Sequence, residues 1–191
     1  MKEIIIFAVL VVAVGVWLAI RANTQAPKPA NPNAQQARQA AVADLRKQAL
    51  TGTRAAFSLD PATEPTVPWG IVMETGYPEG SATLVALSDG SASIYLSSGG
   101  GSIGGGTHET INKAAKAMVS LAAKFQPQAT STKEFPLPKN GQTVFYLLTD
   151  AGVSTISAAE QDLGEERHAW SPLFYAGHEV ITQYLRIDKR R

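Results

Sequence analysis

The chain contains no cysteine. Disulfide staples, thiolate-bound zinc and a cysteine nucleophile are therefore excluded, and the fold has to stand on burial alone. Charge of one sign is lacking too: 17 Lys and Arg face 16 Asp and Glu, a net charge of +1. A nucleic-acid partner, which calls for a basic surplus on the domain, is not expected. Wholesale disorder requires few apolar residues and many charges, and the chain is 45% hydrophobic and 17% charged. The three histidines, His108, His168 and His178, fall at no spacing typical of a ligand set, and no metal or cofactor is expected.

What is present, at the very start, is a run without charge. Residues Ile4 to Ile20 (IIIFAVLVVAVGVWLAI) are 17 in number, and 12 of them are Ile, Leu, Val or Phe. At about −0.3 to −0.6 kcal/mol each, those side chains favour insertion into a bilayer by about 4 to 7 kcal/mol. A helix of this length spans roughly 25 Å, near the lower limit for crossing. Trp17 and Arg21 suit an interfacial end. A cleaved leader would need a small-x-small site, and the nearest, Thr24-Gln25-Ala26, is followed by Pro27. Residues 1–22 are thus expected to form an uncleaved single-pass anchor in the cell (inner) membrane. One lysine precedes the run, and Arg21, Lys28 and Arg38 follow it, which places the remainder on the cytoplasmic side.

Residues 23–33 (NTQAPKPANPN) read as an extended spacer. The segment 34–58 holds a strong helix former, Gln35 to Leu50, with Val42, Leu45 and Ala49 at helical spacing. Its apolar stripe is thin, which fits a stalk or a weakly docked first helix. An α+β domain is expected over 69–187. It opens with strands at Trp69 to Glu74, Ala82 to Leu87 and Ala92 to Ser97. The first turn is Tyr77-Pro78-Glu79-Gly80 and the second contains Asp89-Gly90. This antiparallel three-stranded meander leads through the glycine-rich Ser98 to Gly106 into a helix from His108 to Phe125. A hairpin follows, Thr143 to Thr149 and Val153 to Ser157, then an acidic loop Asp162 to Ala169. Ser171-Pro172, an N-cap followed by proline, starts a last helix, Leu173 to Arg186. Helices are expected to cover one face of the sheet.

The stretch Gly99 to Gly106 (GGGSIGGG) lies between a strand and a helix, where backbone N–H groups and a helix dipole attract anions. Gly99, Gly101, Ser102, Gly104, Gly105, Thr107 and His108 are the candidate ligand-binding residues. The nucleotide-loop pattern ends in Gly-Lys-Ser/Thr, and this loop ends Gly106-Thr107-His108, with no lysine to reach back. A glycine loop that must turn sharply or pack closely has the same composition. Gly100-Gly101-Ser102-Ile103-Gly104 fits G-x-S-x-G, a match that a glycine run produces almost automatically. His178-Glu179 begins the zinc-protease pattern, but Thr182 stands where the second histidine belongs. His178 is expected at the edge of its helix, hydrogen-bonded to the adjoining loop. No catalytic residue is assigned.

The segments Trp69 to Pro78 (WGIVMETGYP), Ser97 to Gly106 (SSGGGSIGGG) and Ser171 to Thr182 (SPLFYAGHEVIT) resemble those of bacterial hypothetical proteins. The likeness covers most of Leu45 to Leu185 and implies no activity, cofactor or catalytic residue. The order helix, strands, helix, hairpin, helix is also loosely similar to roadblock or profilin-like modules, which act as dimerisation and docking platforms. The reading that emerges is a membrane-tethered, non-enzymatic interaction or scaffold module that binds a protein partner or itself. The alternatives are a small-ligand or anion-binding domain using loop 99–107, and a hydrolase built on Ser102 or a histidine.

Overall fold

The structure, a computed structural model, describes residues 31–61 and 64–188. The expected anchor at 1–22, and all of the spacer up to residue 30, lie outside the described residues. Among those described, no helix is long and apolar enough to cross a membrane.

Seven strands form one antiparallel sheet in the order β4-β3-β2-β1-β6-β7-β5. Its centre is β1 (Gly70–Tyr77), flanked by β2 (Gly80–Leu87) and β6 (Gln142–Thr149). β3 (Ala92–Leu96) completes the expected meander, and β7 (Gly152–Ala159) completes the expected hairpin. Two strands of three residues are additional to those expected: β4 (Gly100–Ser102) inside the glycine run, and β5 (Thr130–Thr132). β4 is only glycine and serine, and β5, although two of its three residues are β-branched threonines, is polar throughout, so neither shows the apolar alternation that marks a longer strand. They end the sheet on its two sides.

Among the described residues four α-helices accompany the sheet: α1 (Pro32–Thr51), α2 (Glu109–Ala122), α3 (Glu160–Gly164) and α4 (Ser171–Asp188). On one face Ile71, Met73, Leu84, Phe145 and Leu147 pack against Ile111, Ala115, Met118, Leu173, Phe174 and Val180 from α2 and α4. Helical coverage does not stop at that face. On the other, Val72, Val85, Tyr95, Val144, Tyr146 and Leu148 pack with Ala49 and Leu50 of α1, and Val42 and Leu45 extend the contact. The central strands are covered on both sides, and this explains their continuous apolar runs (GIVM, TVFYLL) in place of alternation. The first helix is neither free nor a stalk: contacts along Gln35, Val42, Leu45 and Ala49 fasten it to the sheet.

Gly177 lets α4 approach, because a Cβ there would press on the Met73 and Met118 side chains. α4 starts at Ser171, two residues before the expected Leu173, and the Ser171 hydroxyl is sealed from solvent without a hydrogen-bond partner, so it is not the expected side-chain cap. Pro172, with its preset φ, is the local signal that remains. The acidic stretch is in part the short helix α3, where Arg167 pairs with Asp162 and Glu165.

One contact decides where α1 sits. Glu74 on β1 has no solvent exposure, and Arg46 of α1 bonds both its oxygens, at 2.6 and 2.7 Å. Thr83, opposite Glu74 on β2, donates to the same carboxylate at 2.7 Å. Arg46 also donates to the carbonyls of Phe135 (2.9 Å) and Pro136 (3.3 Å), tying down the proline-rich segment that crosses the same face. Removing one partner of a buried pair strands the other charge. We predict that Arg46→Ala lowers unfolding stability by about 3 to 5 kcal/mol in urea titrations. Arg46→Met combined with Glu74→Leu should recover most of that loss; a double variant as unstable as the single one would show that the charges themselves are indispensable.

Candidate functional site

The glycine run is an edge strand with its turns. After β3 the chain reverses through Ser97 to Gly99 and returns as β4, pairing Leu96 with Gly100, Tyr95 with Gly101 and Ile94 with Ser102. Gly99 lies against the backbone of Arg38 and Gln39 in α1, and Gln35 donates to the Ser98 carbonyl. Gly101 and Ser102 are exposed on β4, and Ile103 beside them is 66% exposed. Gly104 is exposed and turns the chain with φ +80°. Thr107 is exposed and donates to the Gly104 carbonyl at 3.2 Å. His108 precedes α2 without a side-chain capping bond. Of the seven candidate residues, Gly99, Gly101, Ser102 and Gly104 follow the β4 rim, whereas Gly105 and Thr107 lie in a single 3-10 turn and His108 sits at the N-cap of α2.

Two of the glycines have plain packing reasons. A Cβ at Gly101 would run into the Ile94 carbonyl oxygen of the neighbouring strand. Gly105 is buried beneath Tyr184 of α4, whose hydroxyl donates to the Ala92 carbonyl at 2.6 Å. Burial pushes the Tyr184 phenol up to about 12, so it stays a neutral donor. Gly105 is thus where loop, last helix and strand β3 meet. We predict that Gly105→Ala displaces the Tyr184 ring, orphans the Ala92 carbonyl and lowers stability by about 2 to 4 kcal/mol, read from thermal unfolding. Gly104→Ala, with nothing near the added carbon, should cost less than Gly105→Ala.

The rim has an electrostatic signature. From Gly90 to His108 there is no Asp, Glu, Lys or Arg. Exposed edges are ordinarily guarded by charge, proline or a bulge. At the other side of the sheet, β5 runs directly into Lys133 and Glu134, and the Thr132 hydroxyl closes a local turn with the Glu134 backbone. The two edges are of equal length and unequally protected.

Two further polar groups were missed in the sequence. On the α2/α4 face the hydroxyls of Thr75 and Thr143, opposite one another on β1 and β6, are 3.0 Å apart and buried. Tyr77 continues this row towards Glu160 at the start of α3. Burial, then the Glu160 charge, raises the Tyr77 phenol, against a bond with Thr75, and burial raises the Glu160 carboxyl. The signal was available: Thr75, Tyr77 and Thr143 break the apolar face of two central strands. The second group is the Arg46–Glu74 pair, announced by a lone carboxylate in an otherwise uncharged strand.

The histidines stay apart in role. The His168 ring accepts from the Trp170 backbone at 3.1 Å. His178 makes no loop contact of the expected kind. Both its nitrogens are sealed and without a partner, and its ring lies 4.3 Å from that of Phe174. Among the described residues no group of three His, Cys, Asp or Glu side chains is placed to hold a metal.

Burial pushes His178 down to about 4. The unfolded chain takes up this proton near pH 6.5 and the folded chain only near 4, so the stability is complete above about 6.5 and is lost as pH falls towards 4. We predict a loss of about 3 kcal/mol across that window attributable to this ring. In His178→Leu the stability difference between pH 7 and pH 4.5 should shrink by most of that amount; an unchanged difference would show that the imidazole is not buried.

No family model matches the chain, and no curated protein or solved structure matches it.

Proposed function

We propose that this chain is a membrane-held interaction module that works by binding through the β4 rim of its sheet. The observation that carries the reading is the uncharged, open edge from Gly100 to Gly104, with Ile103 two-thirds exposed beside bare glycine backbone. Extended peptide is the natural complement of such an edge, since main-chain hydrogen bonds supply the binding and alternate side chains the selectivity. The loose likeness in element order to docking modules agrees with this.

The tether rests on the run Ile4 to Ile20. Eleven residues, 21 to 31, separate it from α1, a reach of at most about 40 Å. A domain so held meets its partner in the plane of the membrane. Because α1 is pinned through Arg46 to the sheet, the chain that arrives from the tether enters the domain beside the β3–β4 turn. We place the domain on the cytoplasmic side, from the count of Lys and Arg around the run.

The full chain should sediment with membranes, resist extraction at high salt or alkaline pH, and be released by detergent. A variant with Val11→Arg and Val14→Arg should move to the soluble fraction, since each charge costs roughly 3 kcal/mol at the centre of a span. Recovery of the intact, unaltered chain in the soluble fraction after gentle lysis would overturn the tethered reading.

A further inference from the structure

We infer that the partner of the β4 rim is a second copy of this chain, paired antiparallel about a two-fold axis at Ser102. The inference rests on the rim being the working surface, as proposed above. Its first support is the direction of the backbone groups. Ser97 donates to the Ser81 carbonyl and Leu87 to the Ser91 carbonyl, both at 2.9 Å, so the odd-numbered residues of β3 bond towards β2. Ile94 and Leu96 then bond towards β4, and their opposites are Ser102 and Gly100. On β4 it is then Gly101 that turns N–H and C=O outward, and Ile103, the residue after the strand, follows it in the alternation.

Pairing two such strands about Ser102 sets Gly101 of one copy against Ile103 of the other, twice, and each pair exchanges both backbone hydrogen bonds. The exposed Ile103 side chain lies over the glycine that has no Cβ, so each copy covers the other's bare backbone with its own apolar group. Ser102 meets its symmetry mate across the axis in a close, non-hydrogen-bonded pair. A two-fold contact requires one surface to complement itself, and this strand does so in shape. It does so in charge as well: no charged residue lies between Gly90 and His108, so two copies bring no like charges together along the strand. The contact is short, and anchoring two copies in one membrane raises their effective concentration enough for a short contact to count.

The chain has no cysteine of its own, so a single introduced one reports cleanly. The full chain carrying Ser102→Cys, reconstituted in neutral phospholipid vesicles and treated with a mild oxidant, should form a disulfide dimer. Ser131→Cys on the opposite edge strand, treated alike, should give at least tenfold less. Adding Ile103→Lys to Ser102→Cys should reduce the dimer to the level of the Ser131→Cys control, with unfolding midpoint unchanged. Equal yields from both edges, no dimer from Ser102→Cys, or a yield indifferent to Ile103→Lys would each overturn the inference. Sedimentation of the same samples reads the tether separately: a chain that stays with the vesicles without crosslinking loses the self-pairing and keeps the membrane.

Discussion

A carboxylate with no access to water, in the middle strand of the sheet, is the constraint on which this architecture turns. Glu74 cannot remain charged in an apolar interior without a partner, and the partner is on another element. Arg46 supplies a planar fork that meets both carboxylate oxygens and still has donors for the carbonyls of Phe135 and Pro136. One ion pair therefore fixes three things at once: the helix, the strand and the crossing segment. Apolar burial under α1 is modest, with Ala49 and Leu50 its only fully buried side chains. Such contacts tolerate sliding, whereas a bidentate pair does not. The pair gives the helix its register more than its affinity, because desolvation offsets much of the attraction.

Covering both faces concentrates the polar problem at the perimeter. The long strands β1, β2 and β6 lie inside and the three-residue strands outside, so few backbone groups are left open. Shortness is itself a defence against adventitious pairing. The β5 side adds charge and a hydroxyl-closed turn to that defence, and the β4 side adds nothing but glycine, serine and one isoleucine. An isolated apolar side chain on a surface requires no explanation. An exposed isoleucine two residues from the bare backbone of Gly101, on an edge without charge, is a different matter, because the proposed two-fold pairing would set the two against one another.

Much of this was legible in the residues. The meander, the second hairpin and the three long helices follow from turn chemistry, propensity and periodicity, and they recur within a few residues of the expected bounds. The two-sided sheet was legible as well, in GIVM and TVFYLL, where alternation fails because no face is wet. It was overlooked because α1 taken alone is weakly amphipathic, and its docking depends on Arg46, an apparently ordinary surface residue. The glycine run misled in the opposite direction. Composition there encodes proximity, of Gly101 to a neighbouring carbonyl and of Gly105 to a tyrosine 79 residues further on, and neither neighbour can be read from local sequence. His178 shows the same limit: the helical pattern put it at an edge beside a loop, while the sealing of both its nitrogens without a hydrogen-bond partner belongs to the packing around α4.

The glycines and the edge are connected by one further step. Gly105 admits Tyr184, whose hydroxyl holds the Ala92 carbonyl at the start of β3, so the last helix secures the strand on which β4 is built. On the opposite face α1 reaches the same hairpin through Gln35 and the backbone beside Gly99. The rim is thus held from both sides by the first and last helices of the domain, although β4 itself contributes only three residues to the ladder. A strand this short and this rich in glycine would lose most in entropy on ordering if it stood alone. Held between two helices, the strand has that cost met within the fold, and the proposed pairing would spend less of its interaction on ordering a preorganised edge.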